Sequence, residues 1–74
     1  MDKLKKMIIG AEIDVKQNRN NLQASIKKLI KLLQEQDITD RAYYQSYIAQ
    51  VEDIRRLVDR VIVAEAVHKA LTTR

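Results

Sequence analysis

Apolar and polar positions alternate with helical periodicity over almost the whole chain, most clearly from Tyr43 to Ile62. Tyr44, Tyr47, Val51, Ile54, Val58 and Val61 recur three and four residues apart, a spacing that stacks them along one side of a 3.6-residue helix. Tyr43, Ile48, Leu57 and Ile62 widen this apolar arc to more than half the circumference. One neighbouring helix needs a stripe only somewhat wider than about 100°, so the segment predicts a helix with two neighbours. Upstream, Leu4, Ile8, Ala11, Val15, Leu22, Ile26, Leu29 and Leu33 fall within about 60° of one another when wound at 100° per residue. They predict a second seam. Gly10 lies on its polar side, where it costs about 1 kcal/mol relative to Ala and removes no seam contact.

The phase breaks across Glu35-Gln36-Asp37-Ile38-Thr39-Asp40, which also supplies capping side chains. The pattern therefore predicts an all-α fold: two long amphipathic helices, over about 3–36 and 39–72, forming an antiparallel hairpin within a single domain, 1–74. A connection this short makes consecutive helices antiparallel neighbours. Asp2 is placed to cap the first helix, and Asp37 or Thr39 the second. Two places interrupt the pattern. The polar run Gln17-Asn18-Arg19-Asn20-Asn21 predicts a kink, or a buried amide that fixes register. Beyond Ile62 the apolar stripe switches faces, with Glu65 and Lys69 falling where the seam had been and Val63, Val67 and Leu71 aligning on the former polar side. A bend near Val63, packing of the last turns on a different surface, and a frayed end are the three readings of that switch.

Size turns this pattern into a statement about partners. Seventy-four residues are close to the size at which a single core only balances the ordering cost of the chain. A bare two-helix hairpin leaves much of each apolar arc wet, so a second copy or another protein is expected to complete the core. There is no Cys or Pro, one Gly, and no Phe or Trp, which favours uninterrupted helix over turn-rich β structure and removes disulfide, thiolate and zinc-finger chemistry. Fourteen basic against ten acidic residues give a net charge of +4, which suits an acidic partner but is too modest and scattered to announce nucleic acid. The apolar run Met7 to Ala11 stops at Glu12, too short for a signal-peptide core or a membrane span. A cytoplasmic location without membrane insertion is the expectation.

Catalytic, cofactor and metal motifs are not found. His68 is the sole histidine, with no cluster at metal-ligand spacing and no Ser or Cys nucleophile to activate, and one Gly cannot build a phosphate-cradling loop. Asp37–Arg41, Glu52–Arg56 and Glu65–Lys69 are acid-before-base pairs at i,i+4, each worth a few tenths of a kcal/mol on a solvated helix. Lys27, Lys28 and Lys31 read as a solvated face, with a phosphate-binding stripe as the alternative. Tyr43, Tyr44 and Tyr47, near Arg41, Arg55 and Arg56, admit three readings: hairpin core, anchors for a protein partner, or a stacking platform for single-stranded nucleic acid. Seam positions and a helical setting favour the first two.

Leu22-Gln23-Ala24-Ser25-Ile26-Lys27-Lys28-Leu29, Tyr44-Gln45-Ser46-Tyr47 and Val58-Asp59-Arg60-Val61-Ile62, set in a short, Cys-free and Pro-free hairpin with an acidic connection, resemble the small needle-subunit co-chaperones of bacterial type III secretion systems. The resemblance implies a non-enzymatic cytoplasmic protein that binds a tetratricopeptide-like helical co-chaperone and, with it, holds the needle subunit monomeric until export. It also implies a homodimer when the partner is absent. No cofactor or metal is implied. The residues expected to meet a partner are Tyr43, Tyr44, Tyr47, Ile48, Val51, Arg55 and Ile62 on one surface and Val63, Val67 and Leu71 on a second. The alternatives are a small basic helical regulator that binds nucleic acid, and a self-dimerising structural or inhibitor protein.

Overall fold

The computed structural model describes residues 2–37 and 39–73. Met1, Ile38 and Arg74 lie outside the described residues, and with them the middle of the connection and the two ends of the expected domain. The described residues form two helices, α1 (Asp2–Glu35) and α2 (Arg41–Thr72), which lie against each other along their lengths as an antiparallel hairpin. At 1.5 Å per residue each helix is about 50 Å long, and the molecule measures 57 × 15 × 14 Å. Its radius of gyration of 16.8 Å compares with about 11 Å for a compact domain of this length.

α1 runs unbroken through Gly10 and through the Asn-rich segment, so neither interrupts the helix. Asn18 is half-buried, and its Nδ2 donates to the Asp14 carbonyl of its own helix at 2.7 Å, which satisfies the amide locally rather than across the hairpin. Asp2 is the first helical residue rather than the cap, where its carboxylate still faces the positive end of the helix dipole. α2 begins two residues later than the pattern implied, because the capping residue is Asp40: its carboxylate accepts from the Ala42 N–H at 3.1 Å. Asp37 instead closes a turn of its own, accepting from the Thr39 N–H at 2.9 Å and from the Thr39 hydroxyl at 2.6 Å. At the far end the Thr73 N–H and the Thr72 and Thr73 hydroxyls donate to the carbonyl of Lys69, and the Thr72 hydroxyl also to that of His68.

The Thr39 hydroxyl and N–H, in that order, hold the Asp37 carboxyl below its ordinary range. A carboxyl depressed in the folded state adds stability that is present above its unfolded pKa and is lost as pH falls through its folded pKa. Thr39→Val is expected to move the Asp37 midpoint, followed by NMR titration, back towards the ordinary carboxylate value. An unchanged midpoint would mean that the turn does not bind the charged form.

The seam is a regular heptad. Ile8, Ala11, Val15, Asn18, Leu22, Ser25, Leu29 and Leu32 are the covered positions of α1, continued by Gln36 just past its end, and Tyr47, Gln50, Ile54, Leu57, Val61, Ala64, His68 and Leu71 form the corresponding row of α2. Both rows alternate steps of three and four, the pattern of a two-helix seam. This explains the apparent switch of faces after Ile62. α2 is one continuous helix through Val63, and its seam continues in phase through Ala64, His68 and Leu71. The row that turns polar is a neighbouring one, Tyr44-Val51-Val58-Glu65-Thr72. Leu71, expected on a second outer surface, belongs to the seam.

Very little of this seam is sealed. Among the described residues only Ala11 (7% exposed) and Ser25 (3%) are buried, and no large side chain is fully covered. Ser25 lies at the centre of a polar lock: its hydroxyl donates to Asp53 Oδ2 at 2.7 Å and accepts from Gln50 Nε2 at 2.6 Å, while the same amide reaches the Ser25 carbonyl at 3.2 Å. Each group uses the donor or acceptor capacity it has, so the cluster fixes one register without leaving the serine unpaired. Nearer the ends of the seam, Gln36 Oε1 and His68 Nε2 are covered without a hydrogen-bond partner, the latter 3.6 Å from Glu12 Oε1.

Candidate partner-binding face

The hairpin leaves a two-helix apolar flank uncovered, and one ion pair establishes which rows share it. Arg19 donates through its guanidinium to Glu65 Oε1, with Nε at 2.8 Å. Ile26 and Leu33 follow Arg19 at steps of seven, and Val58, Val51 and Tyr44 precede Glu65 at the same step, so both rows border one flank of the seam. The pair is solvent-exposed on both sides and contributes little to stability; its value here is geometric. None of the three expected i,i+4 pairs forms an ion pair among the described residues. Glu65 turns across the hairpin to Arg19 instead of along the helix to Lys69.

On α2 the flank consists of Tyr44, Ile48, Val51, Arg55, Val58 and Ile62. Wound at 100° per residue these six lie within about 80° of one another, roughly 110° round the helix from the seam. Tyr44 is 48% exposed and Ile62 59%, with Val51 half-buried at the edge of the seam. α1 adds Ile26, Ile30 and Leu33, all exposed. Tyr44 and Tyr47 stand with ring centroids 6.3 Å apart and tilted planes, a favourable aromatic arrangement that links the flank to the seam. The flank is polar beyond Ile62 and Arg19, where Glu65, Lys69, Lys16 and Glu12 take over.

Of the residues expected to meet a partner, the structure brings Tyr44, Ile48, Val51, Arg55 and Ile62 into this one row. Tyr43 is exposed at the connection end, whereas Tyr47 and Leu71 are half-buried in the seam. Val63 and Val67 are exposed, on turns of α2 that face away from the flank. Ile26, Ile30 and Leu33 belong to the face but were not foreseen as partner residues: the periodicity assigned Ile26 and Leu33 to the seam of α1, and only the placement of Arg19 against Glu65 separates them from it.

The geometry offers little else for chemistry. Among the described residues no three His, Cys, Asp or Glu side chains converge as a metal site would require. No described helix is long and apolar enough to cross a membrane. The shallow depression beside Asp2, Lys5, Lys6 and Ile9 is formed by consecutive turns of one helix, which cannot enclose a ligand. No family description, curated protein or solved structure matches the chain.

Proposed function

We propose that this chain is a non-catalytic binding subunit that works by having its apolar flank covered by a second helical protein. The supporting observation is surface that the hairpin does not bury. It exposes 6143 Å², against about 4,700 Å² for a compact monomer of 8.6 kDa. The excess, about 1,400 Å², is comparable to what one partner contributes to a large, obligate interface, and the flank supplies contiguous apolar surface of the kind such an interface uses. In the form that the sequence resemblance implies, the partner is a tetratricopeptide-like co-chaperone, and the pair keeps a type III secretion needle subunit monomeric in the bacterial cytoplasm. Self-association is the expected fallback when the partner is absent.

Co-expression with such a co-chaperone and its needle subunit tests this form directly. The expected result is one co-purifying complex in which amide exchange over Tyr44 to Ile62 slows relative to the free chain. A chain that remains a stable monomer beside both proteins, and binds nucleic acid with a steep salt dependence, would favour the basic-regulator class instead.

A further inference from the structure

We infer that the occupant of the apolar flank is an amphipathic helix of a different protein, carrying one carboxylate at the middle of its apolar stripe, and that Arg55 receives this carboxylate. The inference rests on the flank being a docking surface, as proposed above. Tyr44 and Ile62 have the same helical phase, and Arg55 lies within about 20° of that line, so the only charge in the row stands near its middle. Among the described residues Arg19 pairs with Glu65, and His68 Nε2 lies 3.6 Å from Glu12 Oε1. Arg55 is in neither, although Glu52 and Asp59 stand within one turn of it. It is exposed, so the free chain leaves its charge to water.

A covering helix removes that water, and an arginine buried without an acid is strongly unfavourable. A second copy of this chain is the poorer occupant. Paired antiparallel about the midpoint of the row, the copy places its Val51 opposite Arg55 and its own Arg55 only about 6 Å further along the axis, and no position of the row is acidic. The one acid that continues the row, Glu65, is already held by Arg19. Like charges meeting at the centre of an interface select against the wrong partner. A foreign helix with Asp or Glu at the matching turn pairs the guanidinium in a bidentate geometry. The row extends over about 27 Å, five turns of helix, and lies beside the α1 row of Ile26, Ile30 and Leu33. The docked helix therefore nests between α1 and α2 and completes a three-helix core.

Two synthetic amphipathic peptides of 21 residues serve as probes, identical except for Glu or Lys at the central position of a Leu-based stripe, with binding measured by calorimetry. The expected result is roughly tenfold tighter binding of the Glu peptide, reversal of that preference by Arg55→Glu, and its disappearance in Arg55→Ala. Circular dichroism checks that both variants keep the parent helix content. Equal binding of the two peptides to the parent chain, or a Glu preference that survives Arg55→Glu, overturns the role of Arg55 while leaving the flank as a docking surface. Binding of neither peptide, with the chain monomeric in sedimentation, overturns the docking surface as well. A tight dimer that excludes both peptides and is dissociated by Ile48→Glu makes the occupant a second copy.

Discussion

Ile54→Asp is expected to abolish the helical fold of the free chain, read as loss of more than half of the 222 nm signal at 25 °C. Ile54 is half-buried on the seam, one turn from Gln50 and from Leu57. A carboxylate there has no cation to pair with and sits one residue from Asp53, whose own charge is already committed to Ser25. Burying an unpaired charge costs several kcal/mol, while a chain of this length has a total stability of only about 4–11 kcal/mol. The hairpin has little margin, since no large side chain is fully covered among the described residues. Ile54→Val, which keeps the apolar contact, should lower the melting temperature by only a few degrees. An aspartate variant that melts with the parent would remove Ile54 from the seam.

The second large effect has the opposite signature. Ile48→Glu combined with Ile62→Glu should leave the free hairpin folded, because both side chains already face water, yet reduce association with a helical partner through the flank by more than a hundredfold. Full burial of an isoleucine is worth about 1.5–3 kcal/mol, of which covering the flank gains roughly a third at Ile48 and somewhat over half at Ile62, and each glutamate adds the larger cost of desolvating a charge. Circular dichroism of the free variant and sedimentation velocity of its mixture with the partner separate the two properties. Loss of helix together with loss of association would place these residues in the hairpin core, and association that persists would assign the partner to another surface.

Much of the fold is legible in the chain itself, for a physical reason. Helix propensity, the lack of Pro and the 3.6-residue recurrence of apolar side chains act within a few residues of one another, so two helices and a polar break between them follow from local rules. The boundaries shift by only one or two residues, because Asp40, and not Asp37 or Thr39, accepts from the first turn of α2. The apolar rows read from the sequence are also real rows. Their centres, however, lie rotated from the observed seams, by roughly 60° on α2.

That rotation is a tertiary decision. Hydrophobic pattern finds a seam by its apolar members, whereas the observed seam admits Asn18, Ser25, Gln50 and His68. Ser25, Gln50 and Asp53 qualify only because they satisfy one another across the hairpin; either helix read alone shows them as ordinary polar positions. Once those residues are inside, Tyr44 and Val58 on α2 and Ile26 and Leu33 on α1 are displaced outward, and the apolar surplus visible in the sequence acquires a definite location. Two long helices with more apolar arc than a hairpin can cover follow from the chain alone, since periodicity and composition are local properties. Which part of that arc stays uncovered follows from the packing of the two helices, because the register depends on part-buried hydrogen bonds between residues 25 and 28 positions apart.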